Sequence, residues 1–153
     1  MNVILCSNQF GYEMKEYIKQ SLNQTNHNII DLTNLEKNYI EVLKEFKKKI
    51  DESDENFGIA IDDYGNLSFM VLTKLKGMIV AQVSDERTSY MTRGHNNARA
   101  ITLGSKLIAN DLALSIVDNF LKAKYDGGRH QIRVDMLNKM VKEGNACESC
   151  CGL

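Results

Sequence analysis

The residues best suited to chemistry stand in a short polar run at positions 91–100, MTRGHNNARA. The run places His95 beside Asn96 and Asn97, so a side chain that exchanges protons near neutral pH adjoins two amides that can bind hydroxyl groups. No obvious nucleophile or metal ligand stands next to them. A structural interpretation is also open, in which the three residues end a helix and form a turn, because asparagine readily adopts left-handed conformations.

A second run, GGRHQIR at 127–133, indicates an anion site. Arg129 and Arg133 are four residues apart and share one helix face, in the first turns where free N–H groups and the helix dipole favour negative charge. Two guanidinium groups beside a helix N-terminus suit a phosphate monoester. A solvated basic face over a glycine turn is the alternative. We expect His130 to point elsewhere on this helix.

Strand-like and helical patterns alternate along the chain and must position these two runs. Short apolar runs predict strands at 2–6, 28–32, 57–61, 78–83 and 100–104. Helical spacing predicts helices at 12–22, 39–50, 69–74, 84–96, 108–121 and 129–144. Ser84 or Asp85 is the expected N-cap of the fourth helix. The alternation predicts a Rossmann-like three-layer αβα sandwich, with a five-stranded parallel sheet covered by helices on both faces.

Ligands of such sheets bind beyond the carboxyl ends of the strands. Polar side chains follow three of the predicted strands there, at 7–9, 62–66 and 84–85, and define one candidate pocket edge. His95 and Asn96 precede the fifth strand instead, at the opposite edge of the sheet. If they do chemistry, they most naturally do so in the pocket of a neighbouring subunit. The sequence therefore predicts an oligomer with shared sites.

Length and composition predict one globular domain over 1–143, followed by a flexible cysteine-rich tail at 144–153. The formal net charge of −1 gives no reason to expect nucleic acid as a partner. The first apolar run is too short for a signal peptide or a membrane span, so we expect a cytoplasmic protein with no membrane partner. The tail carries Cys147, Cys150 and Cys151, which we interpret as reactive thiols because a structural zinc site needs four ligands.

Longer strings carry a resemblance to a known family. The segments FGYEMKE, KLKGMIVA, RGHNNARAITLGSKLI and KYDGGRHQIRVDMLNKM are similar to sugar-phosphate isomerases of the type B ribose-5-phosphate isomerase superfamily. Within it, IAIDDYGNLSFM, VSDERTSYMTRGHNNARAITLG and YDGGRHQIRVDMLNKM resemble the A subunits of bacterial galactose-6-phosphate isomerases. The resemblance covers about residues 2–141 and rests on long strings rather than a short motif.

The resemblance implies aldose–ketose isomerisation of a sugar phosphate, with no metal or organic cofactor. The expected pair is D-galactose 6-phosphate and D-tagatose 6-phosphate, in bacterial lactose or galactose breakdown. The resemblance also implies that His95 and Asn96 act in ring opening and sugar binding, in a site shared between subunits. It implies that Arg129 and Arg133 bind the phosphate group.

The chain departs from the family pattern at two places. Members with a complete site usually carry Cys-Gly-Thr-Gly after the third strand, where the cysteine is the base, and Asp-His after the first. This chain has Asp-Asp-Tyr-Gly at 62–65, and Asn8 and Gln9 at the other place. The resemblance therefore implies a homologous B subunit that keeps the missing elements, in a heterotetramer or another hetero-oligomer, and activity only with that partner.

Three alternatives remain open on the sequence. A homo-oligomeric isomerase of another pentose or hexose phosphate would use Asp62 as its base, with a pKa raised by burial or by Asp63. A receiver-like phosphoacceptor domain would use Asp62, Ser84 and Lys106, but the residues at 7–9 cannot supply its acidic Mg²⁺ ligands. A non-catalytic scaffold would only stabilise a partner enzyme.

Overall fold

A computed structural model describes residues 1–140, so the predicted cysteine-rich tail and the predicted end of the last helix at Gly144 lie outside the described residues. The strands are β1 (Asn2–Ser7), β2 (Asn28–Asp31), β3 (Asn56–Asp62), β4 (Val80–Gln82) and β5 (Ala100–Gly104). The helices are α1 (Tyr12–Leu22), α2 (Tyr39–Asp51), α3 (Asn66–Thr73), α4 (Glu86–Asn96), α5 (Asn110–Lys122) and α6 (Arg129–Met140). Every strand and helix predicted from the sequence is present.

The five strands form one parallel sheet in the order β2-β1-β3-β5-β4. β1 lies between β2 and β3, in a register that sets Leu5 beside Ile59. β4 is an edge strand, and β5 separates it from β3. The prediction of a three-layer αβα sandwich with a parallel sheet is confirmed.

The core lies on both faces of the sheet, because alternate residues of each strand point in opposite directions. Leu5 and Ile59 belong to the cluster that includes Ile116 and Phe120 of α5. On the other face, Ile4 and Ala60 belong to the cluster that includes Leu43, Phe46 and Ile50 of α2. This burial explains why the strands appear in the sequence as continuous apolar runs rather than alternating ones.

The predicted helix bounds need one correction. α3 begins at Asn66, three residues before the predicted start at Phe69, because Gly65 adopts a left-handed conformation with φ 74° and starts the helix early. Their helical spacing predicts Tyr12 and Ile40 on the apolar faces of α1 and α2, but both side chains are exposed. The buried faces of the two helices are formed instead by Met14, Ile18 and Leu22 in α1 and by Val42, Leu43, Phe46 and Ile50 in α2. No helix within residues 1–140 is long and apolar enough to cross a membrane.

Candidate functional site

The run that holds His95 and Asn96 forms the last turn of α4. Asn97 ends the helix in a left-handed conformation, with φ 54° and ψ 34°, and donates its backbone N–H to the carbonyl of Arg93. The side chain of Arg93 returns a hydrogen bond to the Asn97 side chain. The structural interpretation of the run is therefore correct for Asn97, and it leaves His95 and Asn96 available for another task.

This last turn lies at the amino edge of the sheet, directly before β5. Arg99 links the start of β5 to the end of α2 and the start of β3, because its guanidinium donates hydrogen bonds to the carbonyls of Ile50 at 2.7 Å and Asn56 at 3.0 Å. Of the two arginines that flank the polar run, Arg99 is thus structural. The position of His95, away from the carboxyl ends of the strands, agrees with the prediction.

Arg133 of α6 holds the two candidate residues together. Its Nη2 donates to the side-chain oxygen of Asn96 and to the carbonyl of His95, both at 2.9 Å, and lies 3.3 Å from Nδ1 of His130. Arg129, one turn earlier, is exposed and forms no hydrogen bond or ion pair with another described residue. Of the two predicted phosphate ligands, only Arg133 is therefore built into the His95 cluster.

His130 also joins this cluster, so the prediction that it points elsewhere is wrong. Its ring stacks on that of His95, with centroids 4.1 Å apart and an interplanar angle of 13°. Gly127 and Gly128 cause this placement, because their positive φ angles of 60° and 52° turn the first turn of α6 back onto the end of α4. Burial lowers the pKa of His130, and the nearby charges of His95 and of the α6 arginines lower it further.

The cluster suits an anion better than a metal ion. His95, Asp126 and His130 offer ligand atoms that all lie within 4.8 Å of one another, which is within reach of one ion. However, the guanidinium of Arg133 contacts His130, and this positive charge opposes a cation there. His95, Asn96 and Arg133 also line an open groove of about 390 Å³, a volume that a sugar phosphate can enter.

At the carboxyl edge of the sheet, the Asp62 carboxylate is fully engaged in hydrogen bonds within the chain. Asp62 ends β3 and is fully buried. One carboxylate oxygen accepts hydrogen bonds from the backbone N–H groups of Tyr64 and Gly65, and the other accepts from the backbone N–H of Ser68 at 2.8 Å and its hydroxyl at 2.6 Å. A carboxylate held in this way is poorly placed to take a proton from a sugar or to accept a phosphoryl group.

The residues after β1 are also engaged in local structure. The side-chain oxygen of Asn8 accepts hydrogen bonds from the backbone N–H groups of Phe10 and Gly11, both at 3.0 Å, and so shapes the entry to α1. A cavity of about 190 Å³ opens here, lined in part by Asn8, Gln9 and Tyr39. This small cleft is the part of the predicted pocket edge that the structure forms.

Ser84 and Asp85 follow the carboxyl end of β4, at the predicted edge of the sheet, but they do not line the cleft beside Asn8. They follow β4, and β5 separates β4 from β3. Asp85 instead caps α4, as predicted, by accepting a hydrogen bond from the Thr88 N–H at 2.7 Å. Lys106 lies over two aromatic rings. Within residues 1–140 the Asp62 carboxylate accepts its hydrogen bonds from Tyr64, Gly65 and Ser68, so the structure gives the receiver interpretation no support.

Asp126 also belongs to the cluster and was not predicted from the sequence. Its carboxylate lies 3.6 Å from Nε2 of His95. The only local signal was an acidic residue directly before the glycine pair of a predicted anion site.

Comparison with known proteins gives concordant matches over nearly the whole chain. The family model described as Ribose/Galactose Isomerase matches residues 3–137. Galactose-6-phosphate isomerase subunit LacA of Streptococcus mutans is 52% identical over 141 residues, which cover 92% of this chain and 99% of the relative. Galactose-6-phosphate isomerase subunit LacA 2 of Streptococcus pyogenes serotype M1 is 50% identical, with coverage of 92% and 99%.

Two solved structures share the fold and a substantial part of the sequence. Ribose-5-phosphate isomerase B from Mycoplasma genitalium, with bound ribulose-5-phosphate, superposes with a TM-score of 0.85 at 32% identity, covering 94% of this chain and 97% of that one. Ribose-5-phosphate isomerase B from Clostridium thermocellum superposes with a TM-score of 0.86 at 30% identity, covering 94% and 99%.

Proposed function

The chain belongs to the ribose/galactose isomerase family, and on this basis we propose that it is a subunit of a galactose-6-phosphate isomerase. The reaction interconverts D-galactose 6-phosphate and D-tagatose 6-phosphate. The names of its relatives, at 50% and 52% identity, support both the substrate and the status of a subunit. We infer a cytoplasmic location, since a phosphorylated sugar is charged and does not cross membranes unaided.

The observation that carries the proposal is the joining of His95 and Asn96 by Arg133 in one groove. In the proposed reaction, His95 takes the proton of the anomeric hydroxyl and returns it to the ring oxygen, so that the ring C–O bond breaks and a free aldehyde forms. The amide of Asn96 binds sugar hydroxyls. General acid–base help of this kind typically contributes about 10²–10⁴-fold in rate.

Arg129 and Arg133 are the proposed ligands of the phosphate. Both stand in the first turns of α6, where unpaired N–H groups and the helix dipole favour an anion. Arg129 is exposed and has no hydrogen-bond or ion-pair partner among residues 1–140, so binding a phosphate would break no contact of its own. Arg133 would bind the phosphate while it orients Asn96.

The second half of the reaction needs a base that removes the C2 proton, after which the enediolate takes a proton at C1. Asp62 is buried and fully hydrogen-bonded. Cys6, the one cysteine within residues 1–140, is also fully buried, and burial raises the pKa of its thiol. We therefore propose that a homologous B subunit supplies the base, in a heterotetramer or another hetero-oligomer.

An exposed apolar surface beside the groove supports this assembly. On α6, Ile132, Met136 and Met140 are 69%, 63% and 77% exposed, and on α3 Met70 is 56% exposed. The edge strand β4 lines a cavity of about 490 Å³ together with Asn96 and residues of both helices. Large exposed apolar patches mark interaction surfaces. A subunit interface here would place the His95 groove against the partner.

The test is isomerase activity on D-galactose 6-phosphate, measured for this chain alone, for the B subunit alone and for the co-expressed pair. Activity confined to the pair would support the shared site. Activity of this chain alone would overturn it, because the chain would then contain its own base. A pair that isomerises other sugar phosphates but not this one would overturn the substrate assignment.

A further inference from the structure

Asp126 approaches His95 from the loop between α5 and α6. Its backbone N–H donates to the carbonyl of Gly94 at 2.9 Å, which fixes the loop to α4 one residue before the histidine. The left-handed glycines that follow turn the chain away into α6. The carboxylate is left beside the imidazole, with Oδ2 3.6 Å from Nε2. The loop therefore brings a negative charge to one particular nitrogen of the ring.

The other contacts of the ring restrict how it can turn. His130 covers one face of His95 at a centroid distance of 4.1 Å. Nδ1 of His130 faces the guanidinium of Arg133 at 3.3 Å and must accept there, since arginine only donates. A neutral His130 consequently carries its proton on Nε2. The charged groups that contact His95 include the carboxylate of Asp126, near Nε2, and the guanidinium of Arg133, on the backbone carbonyl.

Within the described residues, the carboxylate of Asp126 lies close to the rings of both His95 and His130. It is 56% exposed and forms no hydrogen bond there, and the backbone bond to Gly94 already holds the loop. At 3.6 Å the carboxylate and Nε2 are beyond hydrogen-bonding distance, so their interaction in the free chain is electrostatic. Contacts of this kind often shorten when the substrate binds.

We infer, on the basis of the proposed function, that Asp126 is a positioning residue for His95. Its negative charge favours the neutral tautomer with the proton on Nε2, and so leaves Nδ1 of His95 as the atom that accepts the anomeric proton. Without this charge, the neutral His95 population would be shared between the Nδ1–H and Nε2–H tautomers, and only the Nε2–H tautomer would be active.

The test compares Asp126→Asn with Asp135→Asn in the full chain. Asparagine at 126 keeps the shape and the backbone bond but removes the charge. Asp135 is a matched control, because its exposed carboxylate lies on the adjacent helix α6 and, within residues 1–140, accepts only from the Gln131 side chain, at 2.8 Å. The first readout is the ¹⁵N shifts of the His95 ring, which report the tautomer and require no turnover. The chain has only three histidines, which simplifies the assignment.

In Asp126→Asn, we expect the Nε2–H tautomer to lose its dominance. Together with the B subunit, we expect kcat to fall about tenfold to a hundredfold, part of what acid–base help contributes, while KM stays within about twofold. Asp135→Asn should match the wild type in both readouts. An unchanged tautomer, or a kcat equal to that of the control, would overturn the inference. If the wild-type pair does not isomerise galactose 6-phosphate, the proposed function fails, whereas a shifted tautomer would still support the effect of Asp126 on His95.

Discussion

Three neighbouring residues at the end of α4 have three different tasks. Asn97 makes the left-handed turn that ends the helix. Asn96 is held by Arg133, and His95 stacks on the His130 ring with the Asp126 carboxylate near its Nε2. The structural and chemical interpretations of this polar run are therefore compatible, because each applies to different residues. Which residue takes which task depends on α6, which comes more than 30 residues later.

The two arginines of α6 should differ in their kinetic effects. We expect Arg129→Ala to raise KM for the sugar phosphate about tenfold to a hundredfold with little change in kcat, since a hydrogen bond to a charged group contributes roughly 1.5–3 kcal/mol. Arg133→Ala should raise KM and also lower kcat, because Asn96 and His95 lose the group that holds them. Steady-state kinetics of the pair of subunits measure both. Identical effects of the two substitutions would contradict this division.

Asp62→Asn separates a structural carboxylate from a catalytic one. We expect the free energy of unfolding to fall by about 1–3 kcal/mol, because an amide NH₂ would face N–H donors in a buried place. The kcat of the folded pair should stay near the wild-type value. Asp63→Asn, at the neighbouring and partly exposed position, is the control for stability. Urea unfolding and kcat would be measured together, and a kcat reduced a hundredfold would restore Asp62 as a base.

At the scale of elements, a buried ion cluster ties α1 to β2. Lys15 is 1% exposed, and its Nζ lies 2.8 Å from the carboxylate of Asp31, which also accepts from Lys19 at 2.7 Å. Burial raises the pKa of Asp31, but the hydrogen bonds from Lys15, Lys19 and Thr33 outweigh it and hold that pKa at about 2. The cluster thus makes the attachment of α1 dependent on an ionised Asp31.

This lowered pKa predicts a stability change in acid. The contribution of Asp31 is present above its ordinary pKa of 3.8 and is lost as the pH falls through about 2. Asp31→Asn should therefore lose about 2 kcal/mol at neutral pH, and its deficit against the wild type should shrink below pH 4. Urea unfolding between pH 7 and pH 3 measures the difference. Asp118→Asn, which removes an exposed ion pair with Lys122, should change little at any pH.

Most elements were predictable from the sequence, and most contacts of the candidate site were not. The strands are buried on both faces, so their apolar runs stand out, and Asp85 marks the start of α4. The position of His130 was missed because it follows from two left-handed glycines, whose direction the sequence does not specify. Asp126 was missed because its contact with His95 joins residues 31 positions apart in the chain.

At the scale of the whole molecule, the two halves of the proposed site lie at opposite edges of one sheet. His95 lies at the amino edge, while Asp62 and the cleft beside Asn8 lie at the carboxyl edge. A single chain cannot bring these edges together, because the strands between them are rigidly paired. If the proposed assignment of these residues is correct, a complete site therefore needs a second subunit.

Assembly should depend on the exposed apolar side chains of α6. We expect Met136→Glu to weaken association with the B subunit, because a charge would be buried without a partner at the interface. The substitution should change the stability of the free chain by about 0.5 kcal/mol or less, since Met136 is 63% exposed there. Analytical ultracentrifugation of the mixed subunits measures association. Lys122→Glu, which places the same acid on α5, should assemble normally, and equal assembly of both variants would refute the proposed interface.

The hydrogen-bonded carboxylate of Asp62 also limits how this chain could acquire a base of its own. Replacing Asp62 by cysteine would introduce a thiol, but it would remove the acceptor of four hydrogen bonds from Tyr64, Gly65 and Ser68. Asn8, which shapes the entry to α1, would have to change as well. Under the proposed function, a single substitution at position 62 would therefore not free this chain from its need of a partner that supplies the base.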